Sequence, residues 1–188
     1  MSKIETQKLS IITAATELFS KKGYPNVSVR EIAKKADVVP SQIRYYFDSK
    51  ENLLKVVIDN VMSDFLSQLA QKLNNQKDPE EKIRIFMAAY KNSLLKNVGE
   101  YMLITELVNM NIYNSGHDQF SEQLLNRFAS IVAKEIFHDL PNNMDTARMF
   151  IGSLMGAASW ILFSDDWKNK LDLLDHLADS AIELINEK

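Results

Sequence analysis

Five times along this 188-residue chain a helix-capping residue is followed three positions later by glutamate: Ser2 with Glu5, Ser28 with Glu31, Asp48 with Glu51, Asp78 with Glu81 and Asn97 with Glu100. At that spacing the first side chain accepts from the amides of a new helical turn, and the glutamate can reach back to the first residue's own amide. Pro40 and Pro79 stand at first helical positions, where an N–H would be orphaned in any case. Gly23 follows Lys21 and Lys22, a helix stop with cations at the negative end. Between these signals apolar residues recur at helical spacing, as in Leu54, Ile58, Val61, Met62, Phe65, Leu69 and Leu73. No stretch alternates as a strand would, and 5 glycines with 4 prolines are too few for a many-turned β protein or a disordered chain. The chain therefore reads as all-α. About nine helices are predicted, roughly over 3–22, 28–35, 39–46, 49–74, 79–97, 99–113, 117–139, 143–163 and 168–187.

Composition narrows the chemistry. The absence of cysteine removes disulfides, cysteine zinc sites, iron–sulfur clusters and thiol nucleophiles. His117, His138 and His176 are far apart, and His176 among Asp172, Asp175 and Asp179 reads as a charged surface rather than a metal site. No phosphate loop, nucleophile elbow or two-histidine zinc motif is present, so neither an enzyme, a metal nor a cofactor is expected. The polar start at 1–7 is not an export signal. The apolar block 149–163 is short for a membrane span and runs into Asp165 and Asp166, so a buried helix, no membrane and a cytoplasmic location are expected.

The net charge of −3 argues against a general nucleic-acid binder until it is divided by position. Residues 1–55 hold 10 Lys and Arg against 6 Asp and Glu, a net +4, and the remainder holds 12 against 19, a net −7. A basic first quarter on an acidic body suits a nucleic-acid-facing module joined to another function; a solvated surface with chance asymmetry is the other reading. Within that quarter, Ile32, Ala33 and Ala36 can pack a short helix, Val38 the turn after it, and Ile43 with Phe47 a second short helix. Small alanines allow a steep, close helix crossing, the geometry of a helix-turn-helix. The second helix is otherwise polar or aromatic, which suits entry into a major groove.

Ile11, Ala14 and Ala15, Leu18 and Phe19, Gly23 and Tyr24, the run Ser28, Val29, Arg30, Glu31, Ile32 and Ala33, then Ala36, Asp37 and Val38, Tyr46 and Phe47, Ser49, Lys50 and Glu51, and Leu53 with Leu54 together resemble the TetR (tetracycline-repressor-like) family of bacterial regulators over about residues 8–58. The resemblance implies a helix-turn-helix DNA-binding domain at 1–48 and a ligand-binding and dimerisation domain at 49–188, with 49–74 as the linking helix. It implies a homodimeric repressor on a palindromic double-stranded DNA operator, released by a small apolar or aromatic effector. Gln42 and Arg44 are then expected at base edges and Tyr45 on sugar-phosphate or a thymine methyl. Ser28, Arg30, Ser41, Tyr46 and Lys50 are expected on phosphates. Tyr46 has core packing beside Phe47 as its second reading. This chain departs from the family pattern at Asp37, where glycine is common, at Val39, where a serine cap is common, and at Arg44, where tyrosine is common.

The later helices are rich in methionine and aromatics, which suit either plain core or an adjustable apolar pocket. Met87, Tyr90, Met102, Glu106, Met110, Tyr113, Phe128 and Trp160 are the candidate ligand residues. Glu106 lies in a segment apolar on nearly every side, where a carboxylate receives a cationic ligand group or is satisfied internally. Gly152 and Gly156, four apart, permit close helix approach, and Leu174, Ala178 and Ala181 lie in the last apolar stripe. These five are the candidate dimer contacts, since the family resemblance places the dimer on the final two helices. A helix-turn-helix adaptor or nucleoid-associated protein governed by a protein partner is the alternative function.

Overall fold

The computed structural model describes residues 2–113 and 119–187, with only the backbone for 111–113. Among the described residues there are eight α-helices and no strand: α1 Lys3–Lys22, α2 Val29–Ala36, α3 Pro40–Phe47, α4 Lys50–Asn74, α5 Pro79–Tyr113, α6 Gln119–Glu135, α7 Asn143–Leu162 and α8 Asp175–Asn186. Two 3-10 helices, Tyr24–Asn26 and Trp167–Leu174, complete the order. The count differs from the expected nine because the fifth and sixth helices run on as α5, interrupted only at Asn97 (φ −154°, ψ 71°), whose side chain donates to Glu100 at 2.6 Å. The two residues of the expected capping pair do meet, side chain to side chain, at a helix start with no loop before it.

The other starts follow the same chemistry with local exchanges. Ser2 and Glu5 form the reciprocal box, at 3.2 and 2.7 Å. Ser28 accepts from the Glu31 amide at 3.2 Å, but the Glu31 carboxylate is drawn away to Lys22. Asp48 is not the cap of α4. Ser49 takes that role by accepting from Asn52 at 3.0 Å, because Asp48 is spent on ending α3. The Glu31 carboxyl is held below its ordinary 4.5, chiefly by the hydrogen bond from Lys22. Its stabilising contribution is therefore present above that value and is lost as pH falls through the folded one. Lys22→Met should let the Glu31 midpoint rise toward 4.5 in a carboxyl-detected NMR titration; an unmoved midpoint would exclude Lys22 as the cause.

The chain forms two compact units, Met1–Ser63 with Asn97–Ser121, and Asp64–Lys96 with Glu122–Lys188. This division runs through α4 and α5 rather than at residue 48. In the first unit Ile11, Ala15 and Phe19 of α1, Ile32 and Ala33 of α2, Ile43 of α3 and Leu53 and Leu54 of α4 are almost wholly buried. Gly99 lies directly on the Ser20 backbone, where a Cβ would come within 2.0 Å of the Ser20 carbonyl oxygen.

The second unit is built round aromatic rings. Phe86 stacks on Tyr90 and Phe128 (centroids 6.5 and 5.9 Å apart) and meets Phe150 at 5.6 Å, while Phe137 meets Phe150 edge-on. Lys82 pairs with Glu135 at 3.2 Å, and Lys91 with Asp175 at 2.7 Å and Asp172 at 3.7 Å, so two of the carboxylates around His176 already face a lysine. No helix among the described residues is long and apolar enough to cross a membrane.

Candidate nucleic-acid interface

Helix α2 ends at Asp37, which adopts the left-handed conformation (φ 55°, ψ 49°) where the family pattern often has glycine. Aspartate tolerates that region better than most residues, and the Val38 amide closes the turn on the Ala33 carbonyl at 3.0 Å. Val39 has no side chain able to cap α3. Gln42 compensates: its Oε1 accepts from the Val39 amide at 3.1 Å. While it holds the cap, Gln42 has one lone pair of Oε1 committed to Val39 and keeps its amide donors for a base edge.

Helix α3 is anchored by one face. Ile43 and Phe47 are buried, whereas Ser41, Arg44 and Tyr45 are exposed, Tyr45 to 80%. The end of α3 is abrupt: Asp48 has φ 66° and ψ −50°, and the Ser49 amide reaches back to the Phe47 carbonyl at 2.7 Å. Tyr46 is half-buried. Its hydroxyl donates to Gln7 at 2.8 Å and its ring packs edge-on against Tyr45 and Phe47, the packing role that stood as its second reading. The Lys8 ammonium lies 5.6 Å from the Tyr46 ring, which adds a cation from α1 beside α3 that sequence reasoning had passed over. No local motif marks Lys8; only the packing of α1 on α3 does.

At the start of α2, Ser28 and Arg30 are exposed. The Ser28 oxygen accepts from Glu31, which leaves its hydroxyl hydrogen free to donate. Lys50 is turned inward, donating at 2.9 Å to both the Tyr24 and Val27 carbonyls with its ammonium 4.0 Å from the centre of the Tyr24 ring. Burial pulls its pKa below the ordinary 10.5, and the Glu106 carboxylate opposes that shift.

Residues 11–57 match the profile described as "Bacterial regulatory proteins, tetR family". The HTH-type transcriptional regulator HbdR of Aromatoleum sp. is 30% identical over 87 residues, 46% of this chain and 38% of that one. The fatty acid metabolism regulator protein of Bacillus subtilis is 28% identical over 99 residues, 53% and 50% of the two chains. The chain thus matches half or less of the length of these curated relatives. The crystal structure of the regulator FadR from Bacillus subtilis in complex with stearoyl-CoA superposes with a TM-score of 0.68 at 22% identity, covering 94% of this chain and 96% of that one. The helix-turn-helix module at residues 11–57 is of the TetR family type, and the chain as a whole shares its fold with solved regulators.

Some of the candidate ligand and dimer residues lie together in the structure and others do not. Met87, Tyr90 and Phe128 are buried together in the aromatic interior of the second unit. Met102, Glu106 and Met110 belong to the first unit, so the set is divided. Met102 is 52% and Trp160 79% exposed, which removes both from the interior of a protomer. Glu106 accepts from the Tyr24 amide at 3.3 Å, the internally satisfied reading. The Tyr113 side chain and His117 lie outside the described residues.

Leu174, Ala178 and Ala181 are buried within their own unit. Gly152 and Gly156 are exposed, and a Cβ at either meets nothing within 4 Å. They share one stripe of α7 with Met149, Trp160 and, just past its end, Phe163, the last three 74, 79 and 86% exposed. Trp160, Phe163 and Leu173 line an open apolar groove of about 490 Å³ at the end of that stripe.

Proposed function

We propose that this chain is a cytoplasmic transcriptional repressor that binds a palindromic operator as a homodimer and is released by a small apolar or aromatic effector. The observation that carries the reading is α3 itself. Eight residues cannot stay helical unaided; here two buried anchors hold the helix while Ser41, Arg44 and Tyr45 project outward from a basic module. Ser28 and Arg30 at the N-terminus of α2 supply phosphate donors beside them. A twofold dimer places two such helices on symmetric half-sites. The exposed stripe of Met149, Gly152, Gly156, Trp160 and Phe163 supports that dimer, since contiguous apolar surface of this kind marks an interaction site. Trp160 and the glycines therefore replace Leu174, Ala178 and Ala181 as the proposed contacts. The apolar interior around Phe86, Met87, Tyr90 and Phe128 supports an apolar effector, in line with the stearoyl-CoA named for the FadR structure.

Selection of bound duplexes from a random pool, repeated with candidate effectors, tests the reading directly. With the selected site, Arg44→Ala should weaken binding by about 1–3 kcal/mol and relax preference at one base pair per half-site. Unchanged affinity with unchanged preference would remove Arg44 from the reading set.

A further inference from the structure

We infer that Lys50 has a second position, on a DNA phosphate, and that Glu106 is the charge holding it in the inward position seen here. The inference rests on the DNA-binding reading above and assigns Glu106 as a positioning residue for it.

Tyr24 is gripped from both sides. Its amide, an orphan donor at the start of the 3-10 turn, is taken by Glu106 Oε2 at 3.3 Å, and its carbonyl is taken by Lys50 Nζ at 2.9 Å. The Lys50 ammonium therefore sits across one residue from the Glu106 carboxylate, with two carbonyls and a ring face as its direct partners. All the direct partners are neutral, so Glu106 supplies the countercharge that favours this partly buried position. The location is also telling. Val27, whose carbonyl Lys50 holds, immediately precedes Ser28, the α2 cap proposed above as a phosphate donor. Lys50 is the first residue of α4, on a four-carbon stem with three donors, and only two of those donors are used. A backbone phosphate at Ser28 and the Glu106 carboxylate would thus compete for one ammonium. Glu106 belongs to α5, so a helix from outside the helix-turn-helix sets how many cations the DNA face can offer.

Glu106→Gln tests this, because the amide oxygen still accepts from Tyr24 while the charge is gone. Operator binding by the full chain would be followed by fluorescence anisotropy over a series of KCl concentrations. The variant should bind tighter at low salt by about tenfold, and its plot of log affinity against log salt should steepen by about 0.9 for each protomer that gains a phosphate contact. In a Lys50→Gln background the same substitution should do nothing. A slope unchanged by Glu106→Gln, or a gain that persists without Lys50, overturns the inference, the latter revealing a general field effect. Should Lys50→Gln fail to fold, the slopes of the wild-type chain and Glu106→Gln decide alone. If the wild-type chain selects no duplex at all, the DNA-binding reading fails instead.

Discussion

Trp160→Glu combined with Phe163→Glu should sediment as a monomer and bind operator DNA about 10²–10⁴-fold more weakly than the wild-type chain, because two linked binding modules gain that factor over one. Both side chains are among the most exposed large apolar groups of the protein, at 79 and 86%, so two new carboxylates meet only water in a lone protomer. Helical content and the melting of the isolated subunit should be unchanged. If two such surfaces face each other across a twofold axis, four carboxylates are forced together and desolvated, which no dimer of this kind tolerates. A variant that remains dimeric would move the interface elsewhere. Gly156→Ala offers a finer probe of the same face. With open space around its Cβ it should raise the stability of the helix itself by up to about 1 kcal/mol, and any loss of dimer affinity then reports close approach of a partner helix.

Gly99→Val should be among the most damaging single changes in the chain. A Cβ at this position would lie 2.0 Å from the Ser20 carbonyl oxygen and 2.7 Å from its carbon, both backbone atoms that no rotamer change can move aside. Overpacking of this type costs about 1–3 kcal/mol and at times more, and for a chain of this size each kcal/mol lowers the melting temperature by roughly 2–4 °C. Because α5 meets α1 at this point, the loss should be accompanied by faster hydrogen exchange at the end of α1, around Phe19 and Gly23. A Gly99→Val protein that melts with the wild-type chain would show that the two backbones are not in contact.

Most of the helix boundaries were legible because caps are local chemistry: Ser2, Ser28 and Asp78 each act on an amide two or three residues away. Where two candidates stand side by side, as Asp48 and Ser49 do, spacing alone cannot tell which caps and which turns. The helix-turn-helix was legible for the same reason, since its anchors and its exposed residues lie within one short stretch. The partners of Lys50, Gln42 and Glu106 were not legible because they are backbone groups, which no residue pattern announces. The stripe of Leu174, Ala178 and Ala181 was legible as apolar, but apolar spacing does not say whether the burying surface is the chain's own core or another copy. Helix α7 posed the converse problem. Its segment is apolar nearly all round, so Trp160 could be assigned to either face, and only the packing of Ile151, Leu154, Ala158 and Ile161 inward turns Trp160 out.

The two positive-φ aspartates bracket α3, Asp37 before it and Asp48 after it. A helix of eight residues closed at both ends by chain reversals can neither lengthen nor fray into its neighbours. Its outward side chains are thus fixed in register before any DNA arrives, and little ordering entropy remains to be lost on association. Discrimination between operators should therefore appear mainly as differences in how long a complex lasts rather than in how fast it forms.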